Sequence, residues 1–400
     1  MPRLWQVVGG AEKGGILVRE GQDLKSADLP ERLSTGAEIE ELELKGDRLH
    51  YKLSKGSGPA EGWVSTKISG KTLVSLLPEP CAPDVVGPKS GYLHRWAVDI
   101  GSWNPAGDAD GAEFQFLLGL IQETADREQV TRYKNYDDKK RALMSRLLIR
   151  QASASVLQQT SFAALKVART KGKKPFLAEP LPHEVEAPNW NVNVSHEGSW
   201  VVLASEPQCV VGIDVAELRR IKPNGEAIDF YKSFKENLTE TEWADVRRTG
   251  GTLDDQYEVF SRYWSAKEAF VKARGDGLAF PLGKAEFQWT ALPDSPPKTA
   301  YEGTLCVDGK PQPLWRFVQH RLPGTVAHWV TVARAPQTDI IDAHGVFSAT
   351  LRKKQVAFTP EDWHAALLAP SPECTVLPVA ALVPQDEMDA YVAVGGSRWP

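Results

Sequence analysis

The chain has 400 residues, 42% of them hydrophobic and 25% charged, and a net charge of −5 at pH 7. That composition excludes a disordered or low-complexity protein and gives length enough for two or three domains, each with its own core. No apolar run approaches the roughly 18 residues of a membrane span, and the start Met1-Pro-Arg-Leu-Trp-Gln6 lacks a secretory pattern, so a soluble cytoplasmic protein is expected.

Residues 1–76 read as a small all-β domain. Short alternating runs at 15–19, 37–42, 48–51 and 62–65 are separated by Gly- and Lys-rich turns. With Gly62-Trp-Val64 near its end, the pattern resembles an SH3-like barrel, a module that braces or docks. Residues 77–90 follow as a linker, because Pro78, Pro80, Pro83 and Pro88 stiffen the chain and deny strands their donors. Cys81, Cys209, Cys306 and Cys374 show neither CxxC spacing nor adjacent histidine pairs, so neither a zinc site nor a disulfide framework is expected.

An α+β body begins at about residue 91. A strand at 95–100 precedes a helix from about Asp110 and another over about 137–160, where Leu143, Leu147, Leu148 and Val156 form an apolar stripe. Arg146 and Arg150 lie one turn apart on another face of that helix. The apolar runs 200–205 and 209–215, around a turn at Glu206-Pro-Gln208, suggest a hairpin that leaves Asp214 at the exit of a core strand. A long helix over about 253–272 and β segments at 285–289, 301–307, 313–319 and 327–333 complete the body. Residues 335–400 form an extension with a helix at 360–368 and no role legible in the sequence.

Charge is distributed unevenly. Residues 131–175 hold twelve Lys or Arg against Asp137 and Asp138, which makes that stretch +10 and the remainder −15. A localised basic field of this kind attracts phosphates or an acidic partner.

In the helix containing Phe260-Ser-Arg-Tyr-Trp-Ser-Ala-Lys-Glu-Ala-Phe-Val-Lys272, Phe260, Tyr263, Ala266 and Phe270 fall on one side. Trp264, Glu268 and Lys272 form an i, i+4, i+8 stripe on another. By spacing alone, a surface Glu–Lys pair is the simpler reading. Asp214 shifts the balance, because a buried carboxylate requires a partner, and a cation is one. Two carboxylates, Asp214 and Glu268, together with phosphate oxygens and waters would suit Mg²⁺.

Gly212-Ile-Asp-Val215 and Trp264-Ser-Ala-Lys-Glu-Ala-Phe-Val-Lys272 resemble the two signature motifs of the phosphopantetheinyl transferase superfamily, (V/I)G(I/V)D and WxxKEAxxK. Arg95-Trp-Ala, Arg146-Leu-Leu-Ile-Arg150, Lys174-Pro175, Asn193-Val-Ser-His-Glu-Gly198 and Gly275-Asp-Gly-Leu278 resemble further blocks in the same order. The similarity spans about 91–334 and is greatest to the eukaryotic aminoadipate-semialdehyde dehydrogenase phosphopantetheinyl transferase type within the Sfp-type enzymes. It implies a pseudo-symmetric fold of two halves, 91–205 and 206–334, with coenzyme A between them. Arg95, Arg146, Arg150, Lys174 and Lys267 would hold coenzyme A. Asn193, Val194, Ser195 and His196 would line its nucleotide, with His196 near the 3′-phosphate. Asp214 and Glu268 would bind Mg²⁺, and Lys272 would contact the diphosphate. The catalytic set implied is Glu268, Lys272 and His196.

Two departures stand out. Bacterial Sfp-like members often carry a second acid where this chain has Ala216, and the neighbouring Glu217 should face the other way if the strand continues. The family's Gly-Lys-Pro is one residue longer here, Gly172-Lys-Lys-Pro175. The resemblance implies transfer of 4′-phosphopantetheine to a serine of an apo-acyl carrier protein, or of the carrier domains of polyketide or nonribosomal-peptide synthases, with release of 3′,5′-ADP. It implies a monomer with no nucleic-acid or membrane partner. The alternatives are an inactive coenzyme A-binding adaptor and another Mg²⁺-dependent transferase; the absence of a Walker-A spacing counts against the latter.

Overall fold

The computed structural model describes residues 3–68, 71–76, 92–182, 186–217, 229–249, 251–275, 277–292, 299–324, 326–337, 340, 347–351 and 359–399. The chain divides into two compact units, Met1–Val86 and Gly87–Pro400. The Pro-rich linker expected at 77–90 lies outside the described residues.

In the first unit, β1 (Leu4–Val7), β2 (Glu38–Lys45), β3 (Arg48–Lys55) and β4 (Glu61–Ser65) precede a two-strand ribbon, β5 (Lys67–Ile68) and β6 (Lys71–Thr72), and then β7 (Val74–Leu76). The main sheet is antiparallel in the order β4-β3-β2-β1-β7. Alternation along β3 sends Leu49 and Tyr51 into a core with Val7, Ile16, Val18, Ile39 and Val64. The expected barrel is not closed among the described residues. The open edge of β4 is taken instead by the 15–19 run, whose Arg19 exchanges backbone hydrogen bonds with Trp63 at 2.9 and 2.8 Å. That run forms isolated bridges rather than the strand its sequence suggests.

The second unit is mixed α and β. Its first part contains β8 (Arg95–Asp99), α1 (Ala112–Gly119), α2 (Thr124–Arg132), α3 (Tyr136–Val156), the hairpin β9 (Lys166–Arg169) and β10 (Pro175–Glu179), β11 (Asn191–Glu197) and β12 (Trp200–Glu206). Asn135 caps α3 by accepting from Asp137 N–H at 2.8 Å, and the predicted stripe of Leu143, Leu147, Leu148 and Val156 is buried.

The second part contains β13 (Val210–Ala216), α4 (Phe230–Ser233), α5 (Glu240–Arg248), α6 (Leu253–Arg274), β14 (Ala285–Ala291), β15 (Ala300–Val307), β16 (Lys310–Pro311), β17 (Arg316–Arg321) and β18 (Trp329–Ala335). These strands form a sheet ordered β13-β18-β17-β15-β14, with β16 against β15. A capping box of Thr252 and Asp255 starts α6, and Gly275, at φ 83°, ends it.

The expected hairpin between 200–205 and 209–215 does not form. β12 pairs with β11 through the turn at Gly198 (φ 55°), whereas β13 pairs with β18. Glycine adopts that left-handed conformation without steric cost. At the other turn Pro207 has no donor, and Glu206 is committed to an ion pair with Arg95.

The edges of the two sheets meet through side chains rather than a backbone ladder. Asn191 donates to Cys209 O at 2.7 Å and accepts from Val211 N–H at 3.1 Å, and Asn193 accepts from Ile213 N–H at 2.8 Å. Because side chains on one face of a strand recur every second residue, Ser195 continues this row and meets Asp214.

The extension runs through α7 (Pro360–Leu368), β19 (Thr375–Val376) and α8 (Met388–Ala393). β19 adds to β8 in parallel, completing a sheet ordered β11-β12-β8-β19. Val379, Leu382, Val383, Met388 and Tyr391 then enter the core beneath α3 and β12. No helix among the described residues is long and apolar enough to cross a membrane.

Candidate active site

The position of α6 follows from Gly212. A Cβ there would stand 2.0 Å from Ala269 O and 2.6 Å from Ala273 N, so glycine and two alanines allow helix and strand backbones to touch. Ser265 adds a second pin, donating to Asp214 O at 3.0 Å, with Thr331 Oγ1 at 2.9 Å. This packing brings the Trp264, Glu268, Lys272 stripe over β13.

Asp214 is buried, and its Oδ1 accepts from Ser195 Oγ at 2.8 Å and from Lys272 Nζ at 2.6 Å. Lys272 also lies 2.8 Å from Ser195 Oγ. Burial pushes the Asp214 carboxyl above the usual carboxylate range against the opposing pull of Lys272 and Ser195. Glu268 is raised as well, first by burial and then by the charge of Asp214. Glu268 has no hydrogen-bond or ion-pair partner among the described residues. No group of three His, Cys, Asp or Glu placed to hold a metal ion stands there or elsewhere among the described residues. Ala216 carries no donor, and Glu217 turns to His328 at 3.0 Å.

Two adjoining cavities open beside this group. One, of about 370 Å³, is bordered by Arg146, Arg169, Lys173, Val194, Ser195, His196 and Lys272, with Gln129 and Tyr133. The other, of about 300 Å³, is bordered by Arg169, Lys173, Lys174, Asn193, Val194 and Lys272. Lys174 reaches across from the β9–β10 hairpin to Val211 O at 3.3 Å and Lys272 O at 3.2 Å. His196 lies exposed at the rim, its pKa lowered first by partial desolvation and then by the Lys272 and Arg141 cations. An anionic ligand would meet Arg146, Arg169, Lys173, Lys174 and Lys272 along this wall.

Residues 101–208 match a family model described as 4′-phosphopantetheinyl transferase, N-terminal, and residues 210–332 match the 4′-phosphopantetheinyl transferase superfamily. The L-aminoadipate-semialdehyde dehydrogenase-phosphopantetheinyl transferase of Rattus norvegicus is 32% identical over 239 residues, covering 60% of this chain and 74% of the relative. The chain belongs to the 4′-phosphopantetheinyl transferase superfamily. A phosphopantetheinyl transferase of Thraustochytrium is 35% identical, over 49% of this chain and 65% of its own. Bacillus subtilis Sfp is 28% identical, over 39% and 61%. The protein is therefore a transferase that moves a phosphopantetheine group to carrier proteins.

Of the positions anticipated for this transferase, Arg146, Lys174, Asn193, Val194, Ser195, His196 and Lys272 border the cavities, and Asp214 and Glu268 interact with Lys272 at their edge. Arg95, Arg150 and Lys267 do not join them. Arg95 is buried against Glu206, with further bonds to His94 O at 2.9 Å and Ser205 O at 2.6 Å. Arg150 is buried against Glu123 and Asp126. Lys267 is sealed 2.7 Å from Glu242, both side chains having no exposure. Burying a cation requires such a partner, and these three already have theirs. Sequence reasoning gave no individual role to Arg169 or Gln129; the basic stretch from 131 contained the first, but Asp126, which pairs with it, and Gln129, which accepts from Arg146, lie just upstream on α2.

Proposed function

We propose that the transferase moves the 4′-phosphopantetheine arm of coenzyme A to a serine hydroxyl of an acyl or peptidyl carrier protein and releases 3′,5′-ADP. The observation that carries this reading is the carboxylate pair Asp214 and Glu268, both held toward protonation by burial, beside a cavity walled by cations. Asp214 Oδ2 has no protein donor among the described residues, and Glu268 has none, so the pair retains oxygen ligands for a hard cation. Mg²⁺ fits that donor set, with phosphate oxygens and waters completing its shell. When bound, it would supply charge neutralisation at the diphosphate.

The residues of the chain divide the remaining work. Arg146, Arg169, Lys173 and Lys174 orient the phosphates, and His196 lies toward the 3′-phosphate. The carrier serine oxygen bonds to the β-phosphorus as the bond to the 3′,5′-ADP oxygen breaks. Glu268, directly or through a water, takes the serine proton, and Lys272 steadies the charge left on the departing oxygen.

Several finer readings accompany this one. The two halves, 91–205 and 206–334, are pseudo-symmetric; in support, α3 lies on β11 and β12 as α6 lies on β13 and β18. The 1–76 unit is an SH3-like bracing or docking module, and the protein acts as a cytoplasmic monomer. Fatty-acid, polyketide, nonribosomal-peptide and aminoadipate-pathway carriers all present a suitable serine. The test is intact-mass analysis of an apo-acyl carrier protein incubated with the protein and coenzyme A. Phosphopantetheine addition that requires Mg²⁺ and disappears with EDTA is expected; addition indifferent to EDTA would refute the metal role.

A further inference from the structure

Guanidinium groups that wall one anion site repel each other, and an empty site offers nothing to hold them in place. Behind two of them stands Asp126, on α2, with 8% of its surface exposed. Its Oδ1 lies 3.3 Å from Arg146 Nε and 3.4 Å from Arg169 Nε, and its Oδ2 lies 3.6 Å from Arg150 Nη2. Arg146 and Arg169 border the cavity; Asp126 does not. The carboxylate accepts a hydrogen bond from Arg169 Nε on β9 and forms an ion pair with Arg146 on α3, whose own Nε makes no hydrogen bond.

The outer groups of these arginines are only partly committed. Arg146 donates from Nη1 to Ala142 O at 2.9 Å and from Nη2 to Gln129 Oε1 at 2.6 Å, leaving one N–H on each. Arg169 donates from Nη1 to Lys173 O at 3.4 Å, and its Nη2 has no partner among the described residues. A carboxylate behind both guanidiniums, with Nη groups left available, suits planar recognition of a phosphate.

We infer that Asp126 is a positioning residue that orients Arg146 and Arg169 for a phosphate monoester, and so sets the preference for coenzyme A over its analogue lacking the 3′-phosphate. This rests on reading the cavity bordered by Arg146, Arg169 and His196 as the site of the coenzyme A 3′-phosphate. Charge alone predicts the opposite sign: an acid removed from behind a phosphate site makes the site more positive and should tighten binding. Positioning predicts weaker binding, because the freed guanidiniums must be ordered by the ligand itself.

The experiment measures kcat and KM with coenzyme A and with dephospho-coenzyme A for wild type, Asp126→Asn, Arg169→Met and the double variant. For Asp126→Asn the KM for coenzyme A should rise about tenfold, equivalent to about 1.4 kcal/mol, with kcat and the dephospho-coenzyme A KM changed less than about twofold. In the Arg169→Met background the same substitution should add under about threefold, since the one arginine that Asp126 holds by a hydrogen bond is gone and only its ion pair with Arg146 remains. Asp126→Glu provides a second test should the asparagine variant not fold. It keeps the charge but displaces it by about 1.5 Å, and should also raise the KM for coenzyme A selectively. An unchanged or lower KM in the folded Asp126 variants, or equal losses in both backgrounds, would overturn the inference. A wild-type protein that does not use coenzyme A would instead overturn the reading of the cavity.

Discussion

Gly212 and Ala269 touch backbone to backbone: a Cβ on the glycine would stand 2.0 Å from the Ala269 carbonyl oxygen. Two residues farther along β13 is Asp214, and one residue before Ala269 on α6 is Glu268. The contact that seats the helix thus also sets the separation of the two carboxylates. Gly212→Ala should wedge α6 outward, lowering stability by about 1–3 kcal/mol and transfer activity by more than about a hundredfold. Urea unfolding and holo-carrier formation measure the two effects separately.

Glu268→Gln should separate function from stability. Burial and Asp214 raise the Glu268 pKa above its ordinary value of 4.5, so the native state binds that proton more tightly than the unfolded state. Its destabilising contribution is absent at acid pH and develops as pH rises from about 4.5 through the raised native value. In EDTA, the glutamine variant should be more stable than wild type by about 1 kcal/mol at neutral pH, with the gap closing on acidification. Thermal melts across that range test this. The same variant should lose transfer activity by about two orders of magnitude or more.

Much of this site was legible in the sequence because its parts are local. The burial of Leu143 and Leu147, the Glu268–Lys272 stripe and the basic stretch follow from periodicity and charge counting. The roles of Arg95, Arg150 and Lys267 were not legible, because each depends on an acid distant in sequence, Glu206, Glu123 or Glu242. The 200–215 hairpin misled for a related reason. Two apolar runs around a turn look alike whether they pair with each other or enter separate sheets, and only the Asn191 and Asn193 contacts with β13 reveal the seam.

Lys267→Met should act through folding. It would leave the Glu242 carboxylate buried without its cation, held only by backbone donors at Thr239 and Phe287. The expected loss is about 3–5 kcal/mol, measured by urea unfolding. Adding Glu242→Leu should recover most of it, since a well-packed apolar pair replaces a buried ion pair at little cost.

Truncation after Cys374 should unfold the first part of the second unit. It removes Val379, Leu382, Val383, Met388 and Tyr391 from the core, and burial of each large apolar side chain contributes about 1.5–3 kcal/mol. Together these approach the whole stability of a domain, about 5–15 kcal/mol. Calorimetry should show that cooperative melting of this unit is lost.

The most direct test of the acid pair is equilibrium Mn²⁺ binding, read from the electron paramagnetic resonance signal of the free ion, with and without coenzyme A. Wild type should bind one ion, and coenzyme A should tighten it at least about tenfold through added phosphate ligands. Asp214→Ala and Glu268→Ala should each abolish that tightening. Lys272→Met should bind Mn²⁺ more tightly than wild type without coenzyme A, because the ammonium 2.6 Å from Asp214 Oδ1 no longer competes. Binding of Mn²⁺ that is unchanged in both alanine variants would contradict the assignment of Asp214 and Glu268 as the metal ligands.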